Sequence, residues 1–421
     1  MGISTVRGQF MQRCLPKITV ALVLASGAAC GGGTDVISPP PPPPTGLTLA
    51  FLPDTEDAST AAALGWQAGI PGLAVTLTPR DSSRAARAFV TSTDGKVAVS
   101  DLVAGDYVLE ASRLLSDAER RQLGSGDDAN GFATRVSIRV ATSGAQQVTV
   151  PASRKRSLVI SEWAFNGGVT AVEVYNFGGF LELFNNADTT VYMDGVIIAE
   201  GMNLPYDYPN FPCSRYHGFT DDPGGIWARF IQQVPGSGHE YPVLPGRTVT
   251  IATDAIDHRP FLSGALDLSG ADFEFSGTAD VDNPAVPNLL DVGPSSHSDG
   301  HGLYWPGIAE VVIVASPMDL APLVRASPDG ATFLRLPRDK VVDVLWLRPN
   351  FAGSEYAECP RLVGEPFDRD GTDARGTDDV VEATFSVSRR SIQVGTRTVL
   401  QHTRSSNADF QRTRRTPGAL H

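Results

Sequence analysis

Apolar residues gather in short runs through residues 158–195, LVISEWAFNGGVTAVEVYNFGGFLELFNNADTTVYMDG. The pattern predicts an apolar strand, a Gly-rich connection, a second apolar strand, a turn at Asn185-Asn186-Ala187-Asp188, and a third strand ending at Asp194-Gly195. Upstream the period is two. Leu73, Val75 and Leu77 alternate with Ala74, Thr76 and Thr78, and Val136, Ile138 and Val140 alternate with Arg135, Ser137 and Arg139. That spacing places one face of each strand on a core and the other toward solvent. Thr93-Asp94-Gly95-Lys96 reads as a hairpin turn and Ala104-Gly105-Asp106-Tyr107 as the start of the next strand. One short helix is expected at Ser116 to Leu123, where Ser116 and Glu119 have the spacing of a capping box. The expected fold is all-β, two β-sandwich domains in tandem, the second with long insertions.

Composition agrees with strands and turns, since Gly and Pro contribute 42 and 31 of 421 residues. The first 29 residues hold Arg7, Arg13 and Lys17 and no acid, followed by an apolar run from Ile18 to Ala29. That run is too short to span a bilayer, which takes about 20 residues, and has the layout of an export signal. The remainder carries 31 basic and 47 acidic groups, near −16 against −13 for the whole chain. Such a balance excludes nucleic acid as an expected partner, because a phosphate backbone calls for clustered Lys and Arg.

The signal ends at Leu24-Ala25-Ser26-Gly27-Ala28-Ala29-Cys30, with Gly31-Gly32-Gly33 behind it. This resembles a bacterial lipoprotein signal, which implies acylation of Cys30 as the first mature residue. Gly27 departs from the pattern, where Leu or a similar residue usually stands three before the cysteine. The alternative is ordinary cleavage after an Ala. Pro39 to Pro44 then form a stiff polyproline spacer of roughly 19 Å at ~3.1 Å per residue. Of the other cysteines, Cys14 leaves with the signal, and Cys213 and Cys359 remain, as a disulfide or as two separate thiols. The expected boundaries are 1–29 signal, 30–45 tether and spacer, 46–153 first sandwich and 157–421 second.

The segment from Gly69 to Ser112, with its STDGK and LVAGDY turns, is similar to carboxypeptidase regulatory-like (prealbumin-like) domains, which implies a non-catalytic sandwich. Ser161, Glu162, Glu182, Asn185, Asn186, Asp194, Gly195, Asn407, Asp409, Phe410, Pro417 and Gly418 fall where lamin-tail-like domains carry their motifs. The closing motif departs from that pattern, with His402-Thr403-Arg404-Ser405 in place of an Asp-Thr-Asn-Asn run. With the long middle region included, residues 157–421 resemble the DUF4876 group of exported lipoproteins. The resemblance implies a fold and no reaction, and a setting near TonB-dependent receptors and iron uptake.

Candidate chemistry is sparse. Asp368, Asp370 and Asp373 surround a Gly turn, which suits Ca²⁺ or an ordinary solvated loop, and the spacing is not that of an EF-hand. His297, Asp299 and His301 alternate, so on a strand they share a face and a transition metal; flanking Pro294 and Gly302 favour a turn with surface histidines. His217, His239 and His258 are the other imidazoles available to such a site. Glu162 and Glu182 lie on apolar strands, as an acid–base pair or as partners for turn amides. Tyr206, Tyr208, Phe211, Tyr216, Phe219 and Trp227 crowd one Pro- and Gly-rich stretch, as a binding surface or a satellite core.

The expected function is a non-catalytic binding or presentation module, held at the outer membrane by a lipid on Cys30. Gly31 after the cysteine, rather than an acid, favours that membrane. The alternative is an accessory protein for metal or haem uptake beside an outer-membrane receptor.

Overall fold

Strand Thr45–Pro53 (β1) is the first element of the computed structural model, which describes residues 45–81, 84–141, 143–164, 168–169, 174–175, 177–201, 217–277, 281–294, 310–326, 332–348, 361, 363–372 and 385–421. β1 is the centre of a three-stranded sheet, antiparallel to Lys96–Leu102 (β4) and parallel to Gly144–Val150 (β7). Facing it is a five-stranded antiparallel sheet in the order β3 (Arg87–Val90), β2 (Ala74–Pro79), β5 (Gly105–Leu114), β6 (Ala129–Val140) and β8 (Ala152–Arg154). The alternating residues do what their spacing predicts. Leu49, Phe51, Val97 and Val99 meet Val75, Leu77, Leu109 and Phe132 in one core. Tyr107 in the LVAGDY turn buries its ring there and donates its hydroxyl to the Val103 carbonyl at 2.7 Å, pinning the turn.

The STDGK turn is held by close backbone approach. Gly95 sits at φ +75, and a Cβ there would lie 2.5 Å from the Gly69 Cα, so no side chain fits. The capping box is present: Glu119 N–H donates to Ser116 Oγ, and Ser116 N–H donates to Glu119 Oε2, opening α2 (Asp117–Leu123). A second helix, α1 (Ala58–Leu64), was not expected. Its Ala-rich run ends at Gly65 in the left-handed conformation, an ordinary C-terminal signal.

The second sandwich opens with Leu158–Ala164 (β9). Its first sheet has six strands, in the order Phe273–Glu274, Thr248–Ala252, Phe180–Asn185, β9, Phe385–Arg389 and Phe410–Arg414. The second sheet runs Arg325–Ala326, Phe333–Pro337, Gly225–Gln233, Ile197–Gly201, Glu310–Ala315 and Val341–Leu347, with Leu290–Asp291 paired on the third of these. Leu158, Ile160, Leu181, Leu183 and Val387 from the first sheet pack on Ile198, Val312, Val314, Leu345 and Leu347 from the second. The other face of the second sheet is buried too, where Ile197, Val311, Ile313, Leu336 and Trp346 lie under Val363 and Phe367. A sheet covered on both faces needs apolar residues without alternation, and EVVIVA and VVDVLWL read that way.

One expected strand differs. Among the described residues Val191–Tyr192 pairs only with Pro242–Val243, outside both large sheets. The chain then turns at Asp194, and Ile197–Gly201 enters the opposite sheet. The turn is tight because Asp194 accepts the backbone N–H groups of Gly238, Glu240 and Tyr241 at 2.8–2.9 Å. Burial pushes that carboxyl up, but the three donors outweigh it and hold it at about 2.

Candidate functional site

A β-bulge sets the position of the two glutamates. Glu182 pairs with Glu162 and Leu183 with Ile160, so Ser161 is the extra residue. The inserted residue reverses the phase of β9. Ile160 and Trp163 both reach the core, while Glu162 turns to the outer face beside Glu182. That face is covered by the closing segment, residues 415–421. Glu182 accepts Ser161 Oγ–H at 2.8 Å and the Gly418 N–H, and Glu162 accepts the Thr416 N–H at 3.2 Å. His421 Nε2 lies 3.6 Å from Glu162 Oε2. Burial pushes Glu182 up to about 7 and raises Glu162, while Arg415, also buried, falls to about 10. The pair thus serves as a socket for turn amides and has no open face for a substrate: both residues are at most 1 % exposed.

The closing motif builds a second buried network. Arg389 lies over the Phe410 ring and pairs with Asp343 at 2.6 Å and Asp409 at 3.2 Å. Asp409 also accepts the Thr403 N–H, the Thr403 hydroxyl and the Gln401 amide. Burial raises Asp409; at Asp343 burial pushes up as well, but Arg389, His402 and the Ile160 N–H together outweigh it and lower the carboxyl. His402, where the lamin-tail pattern has an acid, places Nε2 3.2 Å from Asp343 Oδ1.

Two members of the acidic turn belong to the same framework. Asp368 is buried and accepts Ser406 N–H and Oγ–H and the Asp370 N–H, and burial raises its carboxyl well above the usual range. Asp370 pairs with Arg348 and accepts from Asn407 Nδ2 at 2.8 Å. Their oxygens are occupied by protein donors, and Asp373 lies outside the described residues. Cys30, Cys213, Cys359, Pro39 to Pro44, Tyr206, Tyr208, Phe211, Tyr216, His297, Asp299 and His301 lie outside them as well. Phe219 packs edge-on against Trp227 at 4.7 Å, beside Phe333, so this described part of the aromatic cluster is a satellite core. His258 is buried between Tyr175 Oη and the Asp254 carbonyl, each at 2.8 Å, and His239 packs on Tyr192. Among the described residues no group of three or more His, Cys, Asp or Glu is placed to hold a metal ion.

Sequence reasoning missed the junction between the sandwiches. The closing loop and the acidic turn reach across to the start of the first sandwich. Arg369 pairs with Asp54 and, at 3.0 Å, with Glu56; Arg404 pairs with Glu56; and Arg390 pairs with Glu110 at 3.2 Å. Asn407 donates to the Arg135 carbonyl at 3.0 Å and accepts from the Arg135 guanidinium. A backbone bond adds to this, from Arg154 N to the His402 carbonyl at 2.8 Å, and another, from Arg369 N to the Arg404 carbonyl at 2.7 Å, ties the acidic turn to the closing loop. The arginines lower Asp54, against its burial, and Arg404 lowers Glu56. Two open cavities lie here. One, of about 490 Å³, is lined by Arg156, Arg338, Arg404 and His402; the other, of about 670 Å³, by Asp54, Glu56, Arg361 and Arg369. Residues Pro43–His421 form one compact unit. No described helix is long and apolar enough to cross a membrane.

The sequence matches no protein-family model and no curated protein. Among solved structures it is similar to a DUF3823 family protein from Bacteroides ovatus, at 14% identity and a TM-score of 0.17, over 49% of this chain and 98% of that one. It is also similar to the major pilin subunit of Bacillus cereus, at 9% identity and a TM-score of 0.18, over 38% and 43%. A DUF4876 family protein from Bacteroides thetaiotaomicron matches 87% of this chain and 94% of its own length, at 16% identity and a TM-score of 0.49, and DUF4876 is the group that the motifs of residues 157–421 resemble.

Proposed function

We propose that this chain is a lipid-anchored module of the cell envelope that binds or presents, and that its two sandwiches act as one body. The observation that supports this best is the junction. Arg369, Arg404, Arg390 and Asn407 from the second sandwich grip Asp54, Glu56, Glu110 and Arg135 from the first. A tandem joined this way keeps its two cavities in one fixed arrangement within the folded body. The residues that would run chemistry are committed elsewhere: Glu162, Glu182, Asp368 and Asp409 are buried acceptors for hydroxyls and backbone amides of the chain itself. The sequence around Cys30 and the proline spacer supply the anchoring part, with Gly31 favouring the outer membrane.

Cell fractionation of wild type and Cys30→Ser tests the anchor. Wild type is expected with the membranes and Cys30→Ser in the soluble envelope fraction. A Cys30→Ser protein that stays with the membranes would overturn lipid anchoring.

A further inference from the structure

The 490 Å³ cavity has a charge pattern unlike the rest of the junction. Arg156, Arg338 and Arg404 line it, with the acids Asp339 and Asp343. Asp343 is occupied by Arg389, His402 and the Ile160 N–H at 2.7 Å. Glu56 is the neighbouring carboxylate, and it is oversubscribed: Arg369 and Arg404 bind it, and Arg338 reaches it only at 4.0 Å. Arg156 has no hydrogen-bond or ion-pair partner among the described residues. Asp339 is the remaining acid of the wall, so Arg156 and Arg338 face one available carboxylate between them and cation is in excess.

Backbone conformation adds an independent observation. Among the described residues only Asp101, Arg156 and Arg404 take positive φ without being glycine. Two of these three are arginines lining this cavity, at φ +50 and +58. Left-handed backbone at such residues is strained, and strain of this kind gathers at ligand sites. His402 lines the same cavity at 4 % exposure, and its Nδ1 is buried without a hydrogen-bond partner. A buried polar nitrogen without a partner is costly, so the wall behind these arginines carries a second energetically unfavourable feature beside the left-handed backbone.

We propose that this cavity is a binding site for a small molecule carrying an oxyanion group, a carboxylate or a phosphate, held by Arg156 and Arg338 with Arg404 behind them. Guanidinium groups meet such planar or tetrahedral oxyanions through paired N–H donors. The volume suits a single sugar acid or a metabolite of similar size. The assignment rests on the binding role proposed above and names its ligand class.

Calorimetric titration of the full chain in detergent tests it with three probes: inorganic phosphate, galacturonate and, as the uncharged control, galactose. At least one anion is expected to bind saturably with a dissociation constant below about 1 mM. The two anions together decide whether phosphate or carboxylate is the group preferred. Arg156→Gly relieves the left-handed strain, so its melting temperature should hold or rise, yet anion affinity should fall at least about tenfold. Arg338→Ala should show the same loss. Absence of binding by both anions would overturn the site, as would galactose binding equally well, or both variants binding like wild type. These results are separable from the anchor, because a chain that binds no anion and still leaves the membrane on Cys30→Ser keeps the anchoring half of the account.

Discussion

Glu162 and Glu182 are register partners on adjacent antiparallel strands, and residues 415–421 lie over both of them. Burial pushes Glu182 up to about 7, and the like charge of Glu162 beside it adds to the rise. The grip on the closing segment is therefore pH-sensitive. Folded Glu182 keeps its proton up to about 7, whereas an unfolded chain gives it up near the ordinary value of 4.5. Stability should fall as pH rises through that window, by about 3 kcal/mol at most.

Glu182→Gln isolates this effect. The amide keeps an oxygen to accept the Gly418 N–H, and its NH2 group faces the Ser161 hydroxyl, which turns from donor to acceptor. Melting curves should show the variant close to wild type at pH 5 and more stable than wild type at pH 8. A variant less stable than wild type at pH 8 would mean that the carboxylate, not the acid, is what the closing segment needs.

Asp409 should be far less forgiving. Its removal leaves Arg389 with one acid instead of two and strips the Thr403 N–H, Thr403 hydroxyl and Gln401 amide of their acceptor. Asp409→Ala is expected to cost about 3–5 kcal/mol by denaturant unfolding. A loss below about 1 kcal/mol would show that the network is looser than its geometry.

The first sandwich offers a paired glycine test. Gly95→Ala places a methyl against the Gly69 backbone at a left-handed position and should cost about 1–3 kcal/mol. Gly144→Ala meets nothing within 4 Å and should be close to neutral. Equal melting temperatures for the two variants would contradict the close approach of the STDGK turn.

At the junction, Glu56 is half exposed, so Glu56→Ala should cost less than about 1 kcal/mol although it breaks pairs to Arg369 and Arg404. Calorimetry should still show one transition, because Asn407, Arg135 and the backbone bond from Arg154 to His402 remain. Two separated transitions in the variant would show that the sandwiches are joined by that carboxylate alone.

What was legible in the sequence was local. The alternation at Leu73 to Thr78, the capping box at Ser116 and Glu119, and the turn at Asp94-Gly95 are patterns a few residues long, and the structure places each as expected. Ser161 hid the phase of β9, because a one-residue bulge leaves no mark in hydrophobicity yet decides that Glu162 leaves the core face. The acidic turn was misleading in the opposite way. Asp368 and Asp370 look solvated beside Gly371, but Ser406 and Asn407 arrive from the closing motif to bind them. The junction was invisible for the same reason: Arg369 and Asp54 are distant in sequence and share no motif.

The central claim is a tethered body, and mass spectrometry of the mature N-terminal peptide tests it most directly. The account predicts a chain that begins at Cys30 with acyl chains on that residue. A mature chain that begins elsewhere, or an unmodified Cys30, would contradict it.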